Sequence, residues 1–295
     1  MISLKDTSIV EDKLFSQKYT FQINGRLITW DRPQVMGIVN LTPDSFYEGS
    51  RTNNSLDRAK ILIEKHIKEG ADILDLGGYS SRPGADDVSL AEEEDRVLPV
   101  LEWLSQIPQG FLISVDTFRS QVAEKSLAAG AHIINDISAG ELDSEMLPMM
   151  GKKNNLYIAM HMRGNPKTMQ QSTDYRDLLG EIMYFFAKKQ EEFKKFGIKD
   201  VIIDPGIGFA KTIQQNFWIL QNLRQFRTFS FPIMVGVSRK SMIYRTLRID
   251  ASEALNGTTA LHMHALSHGA NILRVHDVKE AKQTVELYNN LYPRS

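Results

Sequence analysis

The 295-residue sequence contains no cysteine, which excludes disulfide bridges, thiolate metal sites and cysteine nucleophiles. It also lacks excess charge of either sign. With 35 Lys and Arg against 36 Asp and Glu, the formal net charge is −1. No basic field is available to attract nucleic acid or an anionic membrane, so local basic residues should serve a small anionic ligand. No apolar run approaches the roughly 20 residues that a membrane helix needs. The opening stretch, MISLKDTSIVEDKLFSQ, carries acids early and has no long apolar core. Neither a secretory signal nor an arginine-rich transit peptide is expected, and cytoplasmic residence is the default. Linkers, low-complexity segments and long internal charge runs are missing too, which leaves one domain of barrel size.

The chain does contain a repeated pattern, in which an apolar run of strand length stops abruptly on a polar residue. The runs are MGIVN (to Asn40), ADILDLGG, LISVD (to Asp116), HIINDI (with Asn135 and Asp136), LYIAMHM (to His161), VIIDPG (Asp204), IMVGVSRK (Ser238 to Lys240) and NILRVHD (Arg274 to Asp277). Helical periodicity fills the intervals, at about 55–69, 89–106, 119–129, 177–196, 212–226, 251–267 and 278–292. The rhythm counts out about eight βα units and predicts a (β/α)8 TIM barrel, whose site forms at the carboxyl ends of the strands. Residues 1–34 stand outside the rhythm as an amino-terminal extension to the barrel domain, 35–295. Within the extension, YTFQINGRLITW alternates around Asn24-Gly25, a type I′ turn signal, and predicts a β-hairpin closing the barrel bottom. LTPDSFYEGSRTNN and GYSSRPGADDVS, after the first two strands, are long for such connections and are expected to cover a substrate.

Asp116, Asn135 and Asp204 end the third, fourth and sixth runs and should converge on one cavity. Carboxylates and an amide at one depth suit a flat heterocycle whose edge offers donors and acceptors, such as a pterin. Buried acids need partners, and adjacent ligand N–H groups would supply them. Asp136 and Asp277 read instead as backbone or helix-end acceptors. A second group, Asn40, Arg82, Lys240, Arg274 and His276, forms an anion site, with Arg and His at alternate positions on the eighth strand's end. The Asn40 carbonyl could complete the shell of Mg²⁺, which keeps waters and takes phosphate oxygens; together these imply a diphosphate ester with magnesium. GIGF lacks the third glycine position of a dinucleotide fingerprint. His264 and His268, at i and i+4, lack a third metal ligand and read as a solvated helix face.

Taken in order, GIVNLTPDSF, SSRPGA, ISVDTF, HIINDISAG, MHMRGNPKTM, IDPGIGFAK, VGVSRKSMI and LRVHDVKE resemble the dihydropteroate synthases of the folate pathway, the sulfonamide target, over about 36–280. The resemblance implies a transferase, usually a homodimer, that joins 4-aminobenzoate to 6-hydroxymethyl-7,8-dihydropterin diphosphate. It implies a pterin pocket of Asp116, Asn135, Met160, Asp204 and Lys240, and a diphosphate and magnesium site of Asn40, Arg82, Arg274 and His276. Ser81, Arg82, Pro83, Phe209, Ser238 and Lys240 match the surface for aminobenzoate, and Thr42 and Asp44 match a mobile first loop. The catalytic set so implied is Asp116, Asp204, Lys240, Arg274 and His276.

The chain departs from the family's common wording at Tyr79 (often Glu), Ser81 (often Thr) and Ala210 (often Gly). A pterin-dependent methyltransferase barrel would share the acid and amide pattern but lack SRKSMI and SSRPGA. A non-catalytic pterin-binding paralogue would show losses among Asn40, Lys240, Arg274 and His276, all of which are present.

Overall fold

A computed structural model describes residues 18–42, 54–79, 87–108 and 110–293. The extension supplies β1 (Tyr19–Ile23) and β2 (Arg26–Trp30), which pair antiparallel. Asn24 and Gly25 between them have φ of 49° and 76°, the two left-handed residues that a type I′ turn requires.

Eight parallel strands follow: β3 (Gln34–Asn40), β4 (Ile73–Gly77), β5 (Leu112–Asp116), β6 (Ile133–Asp136), β7 (Leu156–Met160), β8 (Val201–Asp204), β9 (Met234–Val235) and β10 (Ile272–Val275). They lie in the order β8-β7-β6-β5-β4-β3-β10-β9. A single parallel bridge between Ile203 and Ile233 joins the two ends of that order and makes the sheet a barrel. Along the rim run α1 (Asn54–Lys68), α2 (Leu90–Leu104), α3 (Ser120–Ala128), α4 (Met146–Met150), α5 (Leu178–Phe196), α6 (Ile213–Gln221), α7 (Ser241–Leu247), α8 (Leu255–Ser267) and α9 (Val278–Leu291). The expected (β/α)8 TIM barrel is thus present. Among the described residues no helix is long and apolar enough to cross a membrane.

Two helical expectations change. The helix foreseen over 212–226 stops at Gln221 and continues as a 3-10 turn, Leu223–Phe229, because Asn222 turns its own amide back onto the Trp218 carbonyl at 2.9 Å. The one foreseen over 251–267 begins as a separate 3-10 turn, Ala251–Glu253, held by reciprocal capping between Asp250 and Glu253. The helices α4 and α7, of five and seven residues, are too short to show a period in the sequence.

Strand parity decides where each side chain goes, since alternate residues face the barrel interior and the helices. Val35, Val39, Leu74, Leu76, Val115 and Ile134 join the large core beneath the helices. Gly37 faces outward too, and a Cβ there would come within 3.0 Å of Val278 on α9 and 2.9 Å of His66 on α1. The other parity points inward. At the amino-terminal end it supplies Met36, Ile73, Ile133, Ile158, Ile202, Met234 and Ile272, which form one buried cluster with Phe21, Ile23 and Trp30 of the hairpin. Phe21 and Trp30 meet edge to face at 4.7 Å. The hairpin therefore closes the barrel bottom with apolar rings.

Trp30→Ala should leave an apolar void under the barrel and cost about 3–5 kcal/mol of stability. A urea titration checks this, with the midpoint falling and the slope unchanged; an unshifted midpoint would show that the plug is dispensable.

Candidate active site

The inward parity that gives apolar residues at the bottom gives polar ones above. Asn40 ends β3, Asp75 sits in the middle of β4, Asp116 ends β5, Asn135 lies on β6, Asp204 ends β8 and Arg274 lies on β10. Register aligns them across the wall: Asn40 with Gly77, Gly77 with Asp116, and Asp116 with Asn135. Ser238 and His276 follow β9 and β10, and the Ser238 hydroxyl lies 3.1 Å from His276 Nδ1 while accepting the His276 backbone N–H at 3.1 Å.

A cavity of about 640 Å³ opens over this layer. Asn40, Thr42, Asp116, Phe209, Ser238, Lys240, Arg274 and His276 line it, as do Tyr79 and Met169. Asn135, Met160 and Asp204 do not line it and are themselves buried. Met160 belongs to an apolar cluster with Ile137, Met162, Met169 and Ala210, against which Phe118 and Phe209 pack. That cluster reaches the cavity through Met169 and Phe209. Asp44, Ser81, Arg82 and Pro83 lie outside the described residues, as do most of the two long connections expected to cover the site.

Read in sequence, the acids and the cations fall into separate groups; in the fold they are joined. The Arg274 guanidinium donates from Nε to Asp75 at 2.6 Å and from Nη2 to Asp116 at 2.7 Å. Asp75 also accepts from Asn135 Nδ2 at 3.1 Å, through the same oxygen that Arg274 holds. Asp75 is fully buried, and its other oxygen has no hydrogen-bond partner among the described residues. Sequence reasoning passed over this residue, although an acid inside the apolar run ILDLG is a signal in itself: a charge facing a barrel interior needs a partner there.

Burial dominates the acid–base behaviour. It pushes the Asp116 carboxyl up to about 7, with Asp75, Glu93 and Asp136 adding to the rise and Arg274 opposing it. Asp204 is also raised by burial, against the pull of Lys240 and of the Gly206 N–H, which it accepts at 2.7 Å. Lys240 falls to about 8 through burial, with Arg274 lowering it further and Asp204 restraining the fall. Burial would lower Arg274 as well, but Asp75 and Asp116 outweigh it and hold the guanidinium above its ordinary value. Lys240 donates to the Ile207 carbonyl and lies 4.9 Å from the Phe209 ring centre, a cation against an aromatic face.

Asp136 acts as foreseen; Asp277 does not, because it stands at the start of α9 without a side-chain cap bond and a guanidinium takes its carboxylate. Asp136 faces outward, accepting from Ser138 N and Oγ, Gly140 N and Tyr157 Oη, each at 2.7 Å. Asp277 takes Arg239 in a two-pronged ion pair at 2.8 and 3.0 Å. His264 and His268 differ from expectation: they are partly buried, stack at 3.9 Å, and turn their rings to the Leu220 and His264 carbonyls. Among the described residues no group of three or more His, Asp or Glu could hold a metal ion.

Residues 36–276 match the family model for pterin binding enzymes. The dihydropteroate synthase of Synechocystis sp. is 43% identical over 273 residues, covering 90% of this chain and 93% of its own. The crystal structure of the Yersinia pestis dihydropteroate synthase with a sulfonamide drug complex superposes with a TM-score of 0.85 at 39% identity, over 92% of this chain and 98% of that one. The Xanthomonas albilineans dihydropteroate synthase with 4-aminobenzoic acid gives 0.86 at 34%, over 95% and 100%.

A double-mutant cycle on the charge bridge, Asp75→Asn with Arg274→Met, should return a coupling energy of about 2 kcal/mol from unfolding measurements. A coupling near zero would mean that the pair does not form in solution.

Proposed function

The chain belongs to the family of pterin binding enzymes, and from that premise we propose that it condenses 6-hydroxymethyl-7,8-dihydropterin diphosphate with 4-aminobenzoate to give 7,8-dihydropteroate and diphosphate. This is a transferase reaction, that of the dihydropteroate synthases. One observation carries the reading. On a chain 43% identical to such a synthase over nine-tenths of its length, one cavity at the barrel mouth is lined by an acid, Asp116, an amide, Asn40, and the cations Lys240 and Arg274, and this set supports the reading. Small molecules are its substrates, and the reaction belongs in the cytoplasm. By the same resemblance the working unit is a homodimer.

The acids and Asn135 suit the donor-rich edge of the pterin, with Met160 and its apolar cluster against the ring. Arg274, His276 and Arg82 suit the diphosphate, and Phe209, Lys240, Ser238, Ser81 and Pro83 the aminobenzoate, with Thr42 and Asp44 on the covering loop. The donor set also fits magnesium. Asn40, whose amide oxygen is a hard donor, lines the cavity, and Mg²⁺ takes few protein ligands when phosphate oxygens and water complete its shell. When bound, the ion supplies Lewis-acid stabilisation of the departing diphosphate.

The protein's own groups account for the rest of the chemistry. An arylamine is neutral near pH 7 and attacks through its free lone pair, so no general base is needed. The difficult step is breaking the bond between the methylene carbon and the diphosphate oxygen. Arg274 and His276 stabilise the charge leaving on that oxygen, and Asp204 and Asp116 face the positive charge that spreads into the pterin. The displacement is therefore dissociative. The amine's lone pair then forms the C–N bond and its proton is released, and excluding water protects the cationic carbon meanwhile.

Purified protein should form dihydropteroate only with Mg²⁺ present, and chelation should abolish turnover reversibly. Arg274→Ala should lower kcat/KM by about 10²–10³-fold, as expected for loss of a charge-stabilising donor. Unchanged kinetics would remove Arg274 from the site, and folded protein that binds pterin without making product would favour a non-catalytic paralogue.

A pH dependence follows from Asp116. Its carboxylate, the form that accepts pterin N–H groups, prevails only above about 7. Pterin affinity should therefore rise as pH increases through 7 and fall below it. Asp116→Asn should bind weakly with a flat profile, and calorimetry between pH 5.5 and 8.5 decides between the two.

A further inference from the structure

The connection after β8 takes an unusual path. Gly206, Gly208 and Ala210 all have positive φ, at 74°, 88° and 49°. Glycine adopts that region freely and alanine does not, so Ala210 adds steric cost in a segment that already reverses direction repeatedly. A Cβ at Gly206 would run into the His161 carbonyl, and one at Gly208 would come within 3.0 Å of the Lys240 side chain. Such a path persists only where surrounding groups hold it.

The holding groups converge from below. Lys211, fully buried, reaches back under the loop and donates to the Gly206 carbonyl at 3.0 Å, the Phe209 carbonyl at 2.9 Å and His161 Nδ1 at 3.0 Å, with the His161 carbonyl further off at 3.4 Å. The three shorter bonds match the three N–H bonds of an ammonium. Burial and the Lys211 charge keep His161 far below its ordinary value, so its ring is neutral and can accept. Burial likewise brings Lys211 down to about 7, with Asp204 opposing that fall. Asn216 on α6 grips the loop from its other side, accepting the Gly208 N–H at 2.7 Å. The outer face of the same loop presents the Phe209 ring and the Ile207 carbonyl that holds Lys240.

We infer that Lys211 is a positioning residue for the aminobenzoate half of the reaction: its amine holds the left-handed 206–210 segment so that Phe209 and Lys240 form one face for the arylamine. This rests on the functional reading above. Lys211 does not line the cavity, so it acts through the loop and not on the substrate. The pterin side depends on it less: Asp116 and Asn135 are carried by other strands, and Asp204 is carried by β8 and, among the described residues, meets the loop through the Gly206 N–H alone, which leaves Lys240 as the group both halves share.

Lys211→Met keeps the chain length and removes the amine. Calorimetry on wild type and variant would compare two probes: 6-hydroxymethylpterin alone, and 4-aminobenzoate added with saturating 6-hydroxymethylpterin, inorganic diphosphate and Mg²⁺. Aminobenzoate affinity should fall by at least about tenfold, the scale of a lost charged hydrogen-bond anchor, while pterin affinity changes by less than about threefold. Trp30→Ala, destabilised at the opposite end of the barrel, should bind both probes as wild type does. Equal loss of both probes, or no loss, in Lys211→Met overturns the inference. Where that variant does not fold, Asn216→Ala tests the same loop, with a fall in aminobenzoate affinity on the order of threefold expected and none overturning it. Wild type that binds both probes and makes no product overturns the catalytic reading alone and leaves this split to be read.

Discussion

Inward side chains of a closed barrel share one narrow tube, and parity gives each strand only every second residue to place there. A polar residue of the inward parity must find its partner across the tube, because a one-residue slip would turn the whole strand inside out. This constraint organises the molecule. Below, Met36, Ile73, Ile202, Met234 and Ile272 keep the tube dry with the help of Phe21 and Trp30. Above, Asp75, Asp116, Asn135 and Arg274 are close enough that each satisfies another. The apolar plug and the charged mouth are two ends of the same alternation.

That closeness changes what binding means at the mouth. Asp116, assigned to the pterin, and Arg274, assigned to the diphosphate, are paired with each other, and Asp75 shares the same guanidinium. A ligand therefore exchanges hydrogen bonds instead of simply adding them, and its net gain is the difference between the contacts it makes and those it displaces. The preference of Asp116 for its proton and of Lys240 for a lower affinity for one express the same cost, since charge in this layer is tolerated only in company.

Much of this was legible in the sequence. Abrupt polar ends on apolar runs located Asn40, Asp116, Asn135, Asp204, Arg274 and His276, because strand ends are where a barrel exposes its interior. The Asn24-Gly25 dipeptide located the hairpin through the backbone conformation it favours. Asp75 was passed over because it lies inside a strand instead of at its end, where an end-of-run rule does not look. The pairing of Lys211 with His161, a strand-end residue in its own right, is invisible for a different reason: it spans 50 positions, and local pattern carries no trace of it. The early end of α6 turns on the rotamer of one amide, Asn222, which composition does not encode.

The strand β9 has two residues, and its side facing β8 is joined through a single bridge, Ile203 with Ile233, helped by the Ile203 N–H donating to the Pro232 carbonyl at 3.0 Å. Every other neighbour in the wall shares a longer ladder except β10 with β9, which shares two residue pairs. The staves of this barrel are therefore unevenly bound, with the fewest backbone links along one seam. Asp204 and the 206–210 loop stand on one bank of that seam and Ser238 and Lys240 on the other, so any molecule gripped by both banks acts as a rivet across the weakest joint of the wall.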